Sequence, residues 1–360
     1  MRHSDLLHIR LENQRLEGQQ PTSPVDVIRQ LGGVQAQDFG GASWAVCQRT
    51  RDMPASDFIA MFAAGEILRT HVMRPTWHFV AAEDIDWMLD LTRDRLLQAV
   101  SYYYRQYELN ADTFITTDSI IQRALEGGNQ LTRSELAATL AAQGINVADT
   151  VRLAHIVGHA ETLGIICSGV PRGKQQTYAL LSERVQQPRK LTRSEAITEL
   201  ARRYFTSHGP ATLEDYAWWS GLTKADARAG LESIQNEFVH ESLADKIYWF
   251  APSTAPITPM HAHLLPNYDE YVVAYANREA LFDATHTNLL NSRQNPLFSN
   301  VLIIDGVIAG TWTKTVRRKN TTVTINAFKP LSTTERTAVQ VASQCYANYN
   351  ETPELILNLS

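Results

Sequence analysis

Cysteine is scarce: Cys47, Cys167 and Cys345 are odd in number and far apart in a chain of 360 residues. Without a Cys-x-x-Cys spacing they supply neither a disulfide framework nor a zinc knuckle, and a reducing cytoplasm is the expected setting. Long apolar runs are also missing. The first residues, with Arg2, His3, Asp5 and Arg10, lack the apolar stretch of a signal peptide, and nothing later approaches a membrane span, so a soluble protein without a membrane partner is expected. Positive charge is in deficit, since 33 Lys and Arg face 38 Asp and Glu for a net charge of −5. That excludes the broad basic surface of a protein held on nucleic acid by phosphate contacts alone. No Gly-rich phosphate loop, metal-ligand constellation or Ser-His-Asp order stands out, which weighs against a small-molecule enzyme of those kinds.

What is present is ordinary for a globular protein, with 44% hydrophobic and 20% charged residues. The length exceeds what one core usually supports, and two to four modules are expected. Leu131-Thr132-Arg133-Ser134-Glu135 recurs as Leu191-Thr192-Arg193-Ser194-Glu195, each copy opening an amphipathic helix with Thr three residues before Glu. This is the capping-box arrangement, so convergence on a good helix start accounts for the local match as well as duplication does. After the first copy the pattern reads helix, helix, hairpin through Leu181. After the second it reads helices to His208, over Leu213 to Ser220 and over Lys224 to Phe238, then a hairpin ending at Phe250. Helix-turn-helix followed by a two-stranded wing is the winged-helix plan.

The N-terminal part reads likewise, with helices at Pro24 to Leu31, Gly41 to Arg49 and Pro54 to Ala64, then strands at Ile67 to Val72 and Thr76 to Val80. The expected fold is α+β: winged-helix modules at 1–81, 115–185 and 186–255, a helical connector at 82–114, and a β-rich and helical portion at 256–360. In that last portion a proline-bearing loop, Leu264 to Tyr271, precedes a hairpin at Asp305-Gly306. A second turn follows at Arg317-Arg318-Lys319-Asn320, and Ser332 with Glu335 caps a final helix. The candidate recognition helices are poor in the Arg, Lys, Asn and Gln that read the major groove, which disfavours a sequence-specific repressor.

The most informative segment is Val34-Gln35-Ala36-Gln37-Asp38-Phe39, after a helix capped by Ser23, started by Pro24 and stopped by Gly32-Gly33. Side chains two apart share a face only in an extended chain, where Gln35 and Gln37 project together while Val34 and Ala36 face the core. Two glutamines in a connection often do no more than bond backbone.

With the glutamine pair, the wing Arg74-Pro75-Thr76-Trp77-His78, the serial helix–helix–hairpin order and Leu264-Leu265-Pro266-Asn267-Tyr268-Asp269 in hand, the chain resembles the winged-helix DNA glycosylases of the AlkZ/YcaQ type, in their Gln-x-Gln subgroup. The resemblance covers nearly the whole length. It implies a monofunctional DNA glycosylase that excises alkylated, N7-substituted purines, including bulky adducts and, in some members, interstrand crosslinks. Double-stranded DNA carrying alkylated bases is the implied partner, with no cofactor, and a cytoplasmic monomer is expected. The catalytic role carries over to Gln35 and Gln37. Asp38 lies one position beyond the acidic residue of the family's other motif, Gln-x-Asp, and points away from Gln35 in an extended segment, so it receives no such role.

Arg317, Arg318 and Lys319 are candidates to grip phosphates or enter the minor groove, joined by Arg74 and His78. Met73, Trp77 and Trp312 suit the core better than a DNA wedge. His71 lacks metal-ligand companions, and Asp269-Glu270 is expected to form a loop-fixing ion pair with Arg278. The competing reading is a noncatalytic winged-helix protein that binds DNA or regulates another protein.

Overall fold

A computed structural model describes residues 1–252, 261–290 and 295–359, so the expected module boundary at 255/256 lies outside the described residues. Helix and sheet are mixed, as expected. The chain divides into two compact units, one of residues 1–58 with 198–360 and the other of residues 59–197. The segment expected as a first module, 1–81, is thus shared between them. Among the described residues no helix is long and apolar enough to cross a membrane.

In the unit of residues 59–197, strands Ile67–His71 and Trp77–Ala81 pair antiparallel with His71 opposite Trp77. A 22-residue helix, Ile85–Gln106, follows. Three shorter helices each begin at a side chain that accepts an otherwise unpaired backbone N–H: Asn110 for Ala111–Leu125, Thr132 for Arg133–Ala142 and Asp149 for Thr150–Thr162. Thr132 and Glu135 form the reciprocal capping box expected from sequence. Strands Ile166–Ser168 and Thr177–Leu180 then form a hairpin, with Leu131–Thr132 on the free edge of the second strand. Phe114, Ile121, Leu136, Leu140, Ile156 and Leu180 close one apolar core among these elements.

The other unit holds a five-stranded sheet in the order 354–359, 320–327, 307–316, 301–304, 262–265. All pairs are antiparallel except the first. A parallel pair needs a crossover, and helix Thr333–Tyr349, capped by Ser332 with Glu335, provides it. Two of these strands carry no clear sequence signal. Ala262–Leu265, where a loop is expected, pairs with Val301–Ile304, and Glu354–Leu359 adds the parallel edge. Helix His3–Asn13, also without a marked sequence pattern, buries Leu6, Leu7 and Leu11.

Two buried indoles explain why the 262–265 segment is fixed: Trp44 Nε1 donates to the Leu264 carbonyl at 2.7 Å and Trp312 Nε1 to that of Leu265 at 2.8 Å. Tyr346 packs edge-on against both rings, with centroids 5.0 and 5.1 Å away. Trp312 and Met73 are core residues, 1% and 2% exposed.

Arg49, 1% exposed, ties this unit together. Its guanidinium grips Asp269 with Nη2 2.7 Å from Oδ1 and Nη1 2.9 Å from Oδ2, and also donates to the carbonyls of Gln14 and Ala45 and to the Gln14 side chain. Asp269 therefore pairs with Arg49, not with the expected Arg278, whose Nε donates to the Val272 carbonyl. Arg278 is the nearer arginine in sequence, but the tertiary fold brings in one 220 residues away. Removing one partner of such a pair strands a buried charge, so Arg49→Met is expected to cost about 3–5 kcal/mol of stability, measured as a lowered midpoint in urea unfolding.

Candidate active site

The glutamine segment is held from both sides by its local sequence. Ser23 Oγ accepts the Val25 N–H, Pro24 opens the helix Pro24–Leu31, and Gly32 ends it at φ 75°, a conformation that costs a residue without a side chain little. Val34–Gln35 is then extended. Val34 and Ala36 are buried at 1% and 0% exposure, Gln35 is half-buried and Gln37 is exposed. Asp38, at the start of helix Phe39–Cys47, makes no side-chain cap bond. Its carboxylate instead lies against Gly41, where a Cβ would sit 3.0 Å from Oδ2 and 3.2 Å from Pro266. Gly41 thus permits the Leu264–Pro266 segment to approach the end of the glutamine motif.

Beneath Gln35 lies a buried carboxylate. Glu270, 1% exposed, accepts the Gln35 backbone N–H on Oε1 at 2.8 Å and the Trp219 indole N–H on Oε2 at 2.8 Å. His208, fully buried, brings Nε2 to 3.5 Å from Oε2. The Ser207 hydroxyl donates to the Arg203 carbonyl, which leaves its oxygen to accept the His208 Nδ1–H at 2.8 Å. Tyr204 stacks on that ring at 4.9 Å. No sequence signal marked Glu270, Trp219 or His208 as neighbours of Gln35.

Lys314 was also missed, because one lysine in a strand carries no pattern. It is half-buried on strand Val307–Val316, with Nζ 5.5 and 5.4 Å from the ring centroids of Trp312 and Tyr346. Burial lowers its pKa, opposed by the attraction of Asp38. The same strand leads to the turn before Asn320–Ala327, where Arg317 N–H donates to the Asn320 carbonyl at 2.9 Å. Arg317, Arg318 and Lys319 are all exposed there.

Arg74 and His78 belong to the other unit. His78 is fully buried; Nδ1 bonds the Thr76 carbonyl at 2.9 Å and Nε2 lies 3.3 Å from Arg74 Nη2. This arrangement uses the neutral Nδ1–H tautomer, with Nε2 accepting from the half-buried Arg74. Nearby, Glu161, 1% exposed, takes His71 Nδ1 at 2.5 Å and the Trp77 indole N–H at 3.2 Å, which gives His71 a structural place. Among the described residues no three His, Cys, Asp or Glu side chains gather as a metal site requires.

The chemistry available to the glutamine segment is that of neutral carboxamides carried on a fixed backbone. The sequence profile described as DNA glycosylase AlkZ-like matches residues 28–349. An interstrand DNA cross-link repair glycosylase of Streptomyces sahachiroi is 24% identical over 332 residues, which span 84% of this chain and 85% of that one. The solved structure of the Streptomyces sahachiroi DNA glycosylase AlkZ has the same fold, with a TM-score of 0.80 and 21% identity over 99% of both chains. A profile match that takes in the glutamine segment, the Leu264–Glu270 segment and the basic hairpin leaves one assignment: the chain belongs to the AlkZ-like DNA glycosylase family.

Proposed function

We propose that the protein is a monofunctional glycosylase that hydrolyses the N-glycosidic bond of N7-alkylated purines in double-stranded DNA, with bulky adducts and crosslinks within its range. The observation that carries this reading is the Val34–Ala36 segment, with its even side chains in the core and Gln35 and Gln37 on the accessible side. The naming of the Streptomyces sahachiroi relative for cross-link repair supports the wider substrate range.

The pair suits one kind of leaving group. An N7-alkylated purine is already cationic and needs little further protonation to depart. What remains is to hold a water on the sugar face and to direct partial negative charge at the developing oxocarbenium ion, and carboxamide oxygens do both. Glutamine is too weak a base to deprotonate water outright, so unmodified nucleosides stay intact and selectivity follows from the lesion.

For DNA, we read residues 1–81, 115–185 and 186–255 as winged-helix modules joined by the 82–114 connector, the 256–360 portion presenting the basic hairpin. Arg317, Arg318 and Lys319 meet phosphates or the minor groove, and Arg74 meets phosphate while buried His78 holds its guanidinium. We take the protein to be a cytoplasmic monomer.

Replacing both glutamines, Gln35→Ala with Gln37→Ala, is expected to slow base release from duplex DNA bearing N7-methylguanine by about 100- to 1,000-fold, the usual scale for losing a preorganised polar group. Strand cleavage by alkali after single-turnover reaction reads this; an unchanged rate would remove the pair from the mechanism. Replacing Arg317, Arg318 and Lys319 by Ala is expected to lower the slope of log affinity against log salt by about 0.9 for each phosphate the hairpin no longer neutralises. Fluorescence anisotropy across a salt series measures it.

A further inference from the structure

We infer that Glu270 is a positioning residue for the reaction: its buried carboxylate clamps the main chain at Gln35 and so fixes the origin from which that carboxamide reaches the sugar. The inference rests on Gln35 acting as proposed above.

Several observations converge on this role. The segment Val34–Gln35 is only two residues long as a strand, and Glu270, 235 residues away in sequence, binds its Gln35 N–H. Hydrogen bonds to an ionised acceptor are shorter and about twice as strong as neutral ones. Glu270 is itself restrained, its Oε2 held by Trp219 and facing His208. Its backbone is restrained too, because Asp269 Oδ1 accepts the Tyr271 N–H while the same carboxylate is gripped by Arg49. A glutamine side chain has three rotatable bonds of its own, so a water is held in place only if the Cα beneath it does not drift.

A carboxylate is the group this place requires. Two N–H donors, from Gln35 and Trp219, converge on its two oxygens. A carboxamide offers one oxygen and one NH2 group, and would set a donor against a donor at one of them.

The test uses the full chain and compares wild type, Gln35→Ala and Glu270→Gln. Two quantities are read: the single-turnover rate of N7-methylguanine release, and the Kd for a duplex carrying a tetrahydrofuran abasic analogue. For Glu270→Gln the rate is expected to fall about 10- to 100-fold, the range for losing a hydrogen bond to a charged group, with Kd within about threefold. A Glu270→Gln enzyme at full rate beside an inactive Gln35→Ala enzyme overturns the positioning role and leaves the glutamine reading intact. Full rate in Gln35→Ala overturns the reading itself. A Kd that weakens in proportion to the rate assigns Glu270 to binding or folding and also overturns the proposal.

If Glu270→Gln does not fold, or the wild type releases no N7-methylguanine, the wild-type Gln35 amide decides. Under selective 15N-glutamine labelling its proton is expected far downfield and slow to exchange with solvent. An ordinary shift with rapid exchange overturns the clamp.

Discussion

Two adjacent carboxylates, Asp269 and Glu270, are buried at the same turn, and the unit that carries the glutamine motif depends on how their charges are satisfied. A buried ion without partners is prohibitively costly, so the fold must deliver donors to both. Asp269 faces inward to Arg49, which also fastens Gln14 and the helix Phe39–Cys47. Glu270 faces the glutamine motif and collects Gln35, Trp219 and His208. One turn thus sets the interior and, one residue later, the floor of the candidate active site. The network extends through Gln14 Nε2, which donates to the Tyr275 hydroxyl, itself a donor to the His208 carbonyl.

The charge pattern of the whole chain fits the chemistry proposed for it. A net charge of −5 does not favour indiscriminate contact with DNA, and in the proposed reading phosphate binding is left to local groups such as the Arg317–Lys319 turn. Around the motif the buried charges of Asp269 and Glu270 are committed to structure, while Gln35 and Gln37 themselves are neutral amides. A neutral pair is adequate where the substrate supplies the positive charge, and inadequate where it does not. In this reading selectivity comes from the leaving group.

Much of the architecture was legible because it is written in local signals. Ser23, Thr132 and Ser332 cap the helices they were expected to cap, and Gly32 stops its helix in the left-handed conformation. Asp305-Gly306 and Arg317–Asn320 turn between strands as expected. The failures share a cause. Ala262–Leu265 resembles loop because of the proline that follows, and its strand character is imposed by pairing with Val301–Ile304 and by the indoles of Trp44 and Trp312. Glu354–Leu359 forms only against Asn320–Ala327, a strand on the far side of the crossover helix.

By itself the sequence determined the glutamine pair, its place between a glycine stop and a helix start, the basic turn and the family resemblance. The pair, its flanking signals and the basic turn follow from residues within a few positions of one another, where backbone preference and side-chain period act directly, and the resemblance adds the order of such local motifs along the chain. Only the tertiary structure decided that Arg49 takes Asp269, that Glu270 holds Gln35 from 235 residues away, that Lys314 lies within the field of Asp38, and that His78 is buried behind Arg74. The physical reason is that a buried charge selects its partner by proximity in the folded core, and sequence separation carries almost no information about that distance.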